Sequence, residues 1–151
     1  MSVFIDACYR KNKKHPPVWV MRQAGKHIPE YRELREKYDV LTISRTPELS
    51  SKVSLMPVKE FGVDAAILFA DIRLPLISMG VKLELSDTGP VIENPTRSKK
   101  DIEELETLAD EEKFNFLIET IEILTGELKG TPLIGFSGSP FILASYLIEG
   151  K

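Results

Sequence analysis

An α/β fold is predicted from three features of the sequence. Two short apolar runs, Val63 to Phe69 and Thr131 to Phe136, lack both alternation and helical length, which suits strands buried on two faces. Between them Phe114, Leu117, Ile118, Ile121, Leu124 and Leu128 recur at the spacing of one helix face. After the second run, Ser139-Pro140 reads as the cap and first turn of another helix, which continues through Leu143 and Leu147. The resulting order of strand, helix, strand, helix is that of a parallel sheet with covering helices, and a doubly wound sheet and a closed barrel both satisfy it.

The remaining elements follow in chain order. Pro29 to Tyr38 is charged and helical, with Pro29 at a first-turn position and Glu33 and Lys37 paired at i,i+4. Thr46-Pro47 predicts an N-cap and N1 proline for a helix carrying Leu49, Val53, Met56 and Phe61, bent by Pro57 and stopped by Gly62. Asp71 lies just beyond the first strand. Val81 to Leu85 alternates, and Asp87-Thr88-Gly89-Pro90 supplies a turn before Val91-Ile92, so residues 81–92 read as a hairpin inserted after that strand. The helix between the two apolar runs is expected to stop at Gly130, with Lys129 near its negative end.

Composition sets the class. With 151 residues, 42% hydrophobic and 28% charged, the chain has material for one ordinary core. No apolar run has the length of a signal peptide or of a membrane helix, so a soluble, cytoplasmic protein is expected. Cys8 is the sole cysteine, which excludes an intrachain disulfide and suits a small hydrophobe. His15 and His27 have no metal-ligand spacing with each other or with Cys8.

Charge is distributed unevenly. Although the net charge is -3, residues 7–29 hold Arg10, Lys11, Lys13, Lys14, Arg22 and Lys26 and no acid. Arg22 can fork two hydrogen bonds to a carboxylate and Lys26 adds a point charge, with Gln23-Ala24-Gly25 as the turn between them. This predicts an anionic, multiply carboxylated ligand. The earlier cluster, Arg10 to Lys14, reads as a solvated terminal face. Gly135, Gly138 and Ser139 are arranged like a phosphate-cradling turn, but no lysine follows, so a tight turn that admits a ligand is the better reading.

Three blocks carry a resemblance to uroporphyrinogen decarboxylases. Pro17 to Tyr31 is similar to that family's P-V-W-x-M-R-Q-A-G-R-x-x-P-E-Y, departing at Lys26. Asp64 to Ile72 resembles D-A-A-I-x-F-S-D-I, and Ile134 to Gly150 resembles I-G-F-x-G-A-P-W-T-L-x-S-Y-x-x-E-G. The resemblance covers essentially the whole chain, in order. It implies the N-terminal part of a (β/α)8 TIM barrel, preceded by a helical and loop segment. Residues 1–62 would be that lead-in and residues 63–151 the first βα units with their hairpin insertion, one incomplete domain, since a full barrel needs about 250 residues.

The family's chemistry implies a tetrapyrrole substrate, uroporphyrinogen, whose acetate arms become methyls with no cofactor. On this resemblance the catalytic candidates are Asp71, Arg22 and Tyr146, and the substrate-binding candidates are Arg22, Gln23, Ala24, Gly25, Lys26, Asp71, Ser139 and Tyr146. Lysine at position 26 puts bidentate recognition of that arm in question. A homodimer, or association with a separate C-terminal half, is implied, with no nucleic-acid or membrane partner. This chain by itself is expected to be inactive. The rival readings are a corrinoid-linked methyltransferase of the same superfamily and a non-enzymatic anion-binding module using the basic segment; the acidic whole and the scarcity of stacking aromatics beyond Trp19 weigh against the latter.

Overall fold

The structure, a computed structural model, describes residues 2–19, 24–86, 89–106 and 111–150. In chain order the elements are α1 (Val3–Cys8), α2 (Pro29–Lys37), α3 (Val40–Arg45), α4 (Pro47–Phe61), β1 (Ala66–Ile67), α5 (Leu74–Ser78), β2 (Leu83–Ser86), β3 (Gly89–Ile92), α6 (Lys99–Glu103), α7 (Asn115–Glu127), β4 (Leu133–Ile134) and α8 (Pro140–Glu149). A 3₁₀ turn at Glu111–Phe114 leads into α7. They form two compact units: residues Met1–Ala70 with Asn115–Phe136, and residues Asp71–Phe114 with Ser137–Lys151.

In the first unit β1 and β4 pair in parallel, Ala66 opposite Leu133 and Ile67 opposite Ile134. The ladder is closed by Ala66 N–H to Pro132 O at 2.9 Å and Leu68 N–H to Ile134 O at 3.0 Å. The two apolar runs are therefore adjacent parallel strands, as expected, but the second is not buried on both faces: Leu133 and Ile134 are half-buried and Phe136 is exposed. The ladder is only two residues long, and beyond β1 two serines of α4 take up the backbone polar groups of Phe69.

Against this pair pack α4 and α7. Leu124, fully buried on α7, meets Leu55 of α4, Ala66, Leu68 and Leu128 in one apolar cluster. A second cluster joins Ile28, Tyr31 and Leu34 to Ile43 of α3 and to Val53 and Met56 of α4. Full burial of each such side chain contributes about 1.5–3 kcal/mol. Burial also holds the Tyr31 phenol above its ordinary pKa of 10.0.

Helix ends are where local chemistry decides. Gly62 ends α4 with φ +62°, a left-handed conformation that costs glycine little. Thr46 occupies the N-cap position of α4 but does not cap with its hydroxyl, as the sequence suggests; its Oγ1 donates to Thr42 O of the preceding helix at 2.8 Å. Pro47 at N1 lacks an N–H, so one of the groups a cap serves is absent. Asp39, which the sequence reading passes over, is a true cap: its Oδ1 accepts from Thr42 N–H at 2.8 Å and starts α3.

The second unit contains the hairpin foreseen at 81–92. Strands β2 and β3 are antiparallel, with Leu83 opposite Ile92 and Ser86 opposite Gly89; Asp87 and Thr88 of the expected turn lie outside the described residues. Leu76, Val81 and Ile92 form its buried centre, with Leu143, Tyr146 and Leu147 of α8 packed against them. Two backbone bonds tie this region to α8, Ile92 N–H to Gly150 O and Thr96 N–H to Leu147 O, both at 2.9 Å.

Candidate functional site

The route from β1 to Asp71 is fixed by two serines. Ser54 Oγ accepts Phe69 N–H at 2.8 Å, and Ser50 Oγ donates to Phe69 O at 2.6 Å. Both serines are buried on α4, so they supply partners to a backbone that has left its ladder without reaching water. Ser54 Oγ also donates to Ser50 O at 2.8 Å, which fixes its own rotamer.

Asp71 then opens the second unit with a side chain only 7% exposed. Its Oδ1 accepts Arg73 N–H and Arg73 Nε, each at 2.8 Å, and its Oδ2 accepts Arg73 Nη2. The carboxylate is thus gripped by a backbone amide and a guanidinium fork from the same residue. Arg73 is 11% exposed at its side chain, and burial of two charges is tolerable only with this degree of pairing.

The Arg73 guanidinium carbon lies 5.8 Å from the centre of the Tyr146 ring. Its pKa is raised above that of a free arginine, first by the hydrogen bond to Asp71 and then by the charge of Asp71 and the Tyr146 hydroxyl, against the opposing effect of burial. Asp71 and Tyr146, both predicted from the sequence, are thereby joined through a cation that the sequence reading did not single out. The available signal was local: an aspartate two residues before an arginine, just after a buried strand, can bond the following backbone amide and present its carboxylate to the arginine.

Ser139 is the N-cap of α8, its Oγ accepting Ile142 N–H at 3.3 Å, and Pro140 stands at N1. Its hydroxyl therefore has a structural partner. Gly138 explains the small residue before it: a Cβ there would stand 2.8 Å from Leu143 Cδ2 and 3.2 Å from Ile72 O, the carbonyl next to Asp71. Gly135 has no such neighbour within 4 Å.

The basic turn belongs to the first unit, and of its candidates Arg22 and Gln23 lie outside the described residues. Ala24 is half-buried against the Ile28 and Tyr31 cluster, and Gly25 O accepts Ile28 N–H at 3.0 Å. Lys26 is exposed, and among the described residues its carbonyl is a bonded group, accepting Arg32 Nη1 at 2.7 Å. The strand of chain entering the turn is anchored at Val18 by Asp64. Cys8 is exposed, not packed. Among the described residues no helix is long and apolar enough to cross a membrane.

Comparison with known proteins gives a consistent relationship. Residues 1–151 match the family described as "Uroporphyrinogen decarboxylase (URO-D)". A uroporphyrinogen decarboxylase of Carboxydothermus hydrogenoformans is 53% identical, over 99% of this chain and 43% of its own length. One from Bacillus subtilis is 50% identical, over 99% of this chain and 42% of its own length. The chain therefore spans less than half the length of these relatives. Among solved structures, a methyltransferase from Methanosarcina mazei superimposes with a TM-score of 0.67, covering 97% of this chain and 44% of its own, at 20% identity, a likeness of fold alone.

Proposed function

Since this chain belongs to the uroporphyrinogen decarboxylase family, we propose that it is the N-terminal portion of a cytoplasmic, homodimeric carboxy-lyase that converts the four acetate arms of uroporphyrinogen III to methyls. Strands β1 and β4 with their helices are then the first βα units of a (β/α)8 barrel. Residues 1–62 form its lead-in, and Asp71 sits at the carboxyl end of a barrel strand, where such folds place their chemistry. The observation that carries this reading is the buried Asp71 carboxylate, since a fixed anion at that position is what the reaction requires.

Loss of carbon dioxide from an acetate arm leaves an electron pair at the methylene carbon. A pyrrole ring protonated on carbon receives that pair as the bond to the carboxylate breaks and carbon dioxide departs; the exocyclic methylene so formed takes a proton from solvent to become the methyl, and the ring gives up the proton it had gained. Asp71 accepts the pyrrole N–H groups and stabilises the positive charge that develops on the ring. Arg22 and Lys26 hold the carboxylate arms, with Gln23, Ala24 and Gly25 shaping the turn; Ser139 and Tyr146 line the approach from α8. Arg22 orients and does not serve first as an acid, because its proton is too tightly held.

The test is anaerobic incubation of the complete gene product with chemically reduced uroporphyrin, resolving heptacarboxylate to tetracarboxylate products by chromatography. The tetracarboxylate coproporphyrinogen is expected, with Asp71→Asn slower by about 10²-fold or more, as for loss of a preorganised charge. A wild-type protein that leaves all eight carboxylates intact would overturn the reading.

A further inference from the structure

The pairing of Asp71 with Arg73 poses a problem for any reaction that needs a free carboxylate. Both groups are buried, and the guanidinium neutralises the anion that is to face a cationic ring. We propose that Arg73 is itself a carboxylate-binding residue of the site, held on Asp71 until a carboxylate arm of the ligand replaces Asp71 on the guanidinium and a ring N–H replaces the guanidinium on Asp71. This rests on the decarboxylase reading and adds to it a residue and a condition for binding.

Three observations support the exchange. Asp71 does not depend on the guanidinium for its orientation, because Arg73 N–H donates to Oδ1 at 2.8 Å and remains when the side chain moves. The guanidinium uses Nε and Nη2 on Asp71, while Nη1 has no hydrogen-bond partner among the described residues and is a ready first contact for an incoming anion. The Tyr146 ring, 5.8 Å from the guanidinium, offers the cation a face that does not compete for its hydrogens.

The exchange conserves pairing. Before it, one anion meets one cation; after it, Asp71 accepts from the ring and Arg73 donates to the arm, so no buried charge is left alone. A ligand that brings only one of the two groups strands a buried partner, which is costly. Arg73 thereby makes binding conditional on a molecule that carries N–H donors and carboxylates together.

Two measurements on the complete protein test this. With arginine side chains labelled with nitrogen-15, the Nε–H signal of Arg73, assigned by its loss in Arg73→Lys, is followed during titration with uroporphyrin and, separately, with mellitic acid, a polycarboxylate without ring N–H. A shift with uroporphyrin that mellitic acid does not reproduce is expected; no shift on saturation with uroporphyrin, or the same shift with both, overturns the exchange. In steady-state assays with uroporphyrinogen, Arg73→Met is expected to raise KM about tenfold or more, with a smaller effect on kcat, as for a lost charge-assisted bond to the ligand. Arg73→Lys, which keeps the cation and guards against misfolding of the first variant, is expected to recover most of that loss.

A fall in kcat at unchanged KM in both variants would mean that Arg73 only holds Asp71, and the proposal fails. A wild-type protein inactive on uroporphyrinogen sinks the decarboxylase reading alone if uroporphyrin still shifts the Arg73 signal. If uroporphyrin does not bind and uroporphyrinogen is not converted, both fall.

Discussion

Asp64 and Val18 are bonded to each other twice across 46 residues of sequence: Val18 N–H donates to Asp64 Oδ2 at 2.7 Å, and Asp64 N–H donates to Val18 O at 2.9 Å. The pair ties the chain entering the basic turn to the start of the strand that leads to Asp71. Asp64→Ala removes a charge-assisted bond and is expected to lower stability by about 1–3 kcal/mol. Asp64→Asn, which keeps an acceptor, is expected to lose less. Chemical denaturation measures the stability, and amide exchange at Val18 shows whether the tie is broken locally.

Ser54→Ala is a more severe change than its size suggests. It removes the partner of Phe69 N–H while leaving that group in a half-buried setting, at a cost of about 1–3 kcal/mol. Ser54→Cys keeps the volume and a weak acceptor and is expected to fall between wild type and alanine. Because Phe69 precedes Asp71 by two residues, the alanine variant is also expected to lower decarboxylation; an alanine variant with wild-type stability and rate would show that Ser54 is dispensable to the strand.

Gly138 and Gly62 are expected to respond to alanine for different reasons. At Gly62 the new Cβ meets nothing within 4 Å, and only the left-handed backbone is penalised, by about 1 kcal/mol. At Gly138 the Cβ would stand 2.8 Å from Leu143 Cδ2 and 3.2 Å from Ile72 O, so the Leu143 side chain must turn aside and the Ile72 carbonyl, next to Asp71, must give slightly, at about 1–3 kcal/mol. On the proposed function, the discriminating measurement is the uroporphyrin affinity of the complete protein, which Gly138→Ala is expected to weaken and Gly62→Ala to leave unchanged.

Two helix caps make stability depend on acid. The Asp39 carboxyl is held below the ordinary 3.8 chiefly by the Thr42 amide, and that of Asp101 chiefly by the amides of Arg97 and Ser98. A carboxyl with a lowered folded pKa stabilises the fold fully above its unfolded value and loses that contribution as pH falls through the lowered one. Asp39→Asn and Asp101→Asn are therefore expected to be less stable than wild type at pH 7 and to converge with it in strong acid, once the lowered carboxyls are protonated. Urea midpoints at the two pH values check this; a difference that persists undiminished in acid would assign the effect to geometry, not charge.

Much of the fold is written locally. The apolar runs at 63–69 and 131–136, the helix face from Leu117 to Leu128, the Ser139-Pro140 start and the Gly62 stop are each set by neighbours within a few residues, where periodicity and steric preference act. The candidates Asp71 and Tyr146 were legible for a related reason, since the blocks that hold them retain a family's order of residue types.

What only the tertiary structure decided is pairing over distance. Nothing in the periodicity of α4 says that Ser50 and Ser54 serve Phe69, because a serine on an apolar face has many possible partners until the strand is laid against it. Nor does the sequence say that the Arg73 guanidinium beside Asp71 meets the ring of Tyr146, 73 positions further on, since that arrangement exists only once α8 has packed against the apolar centre of Leu76, Val81 and Ile92. The sequence determined which residues carry charge and which bury themselves; the burial, by excluding water, determined which charges must meet.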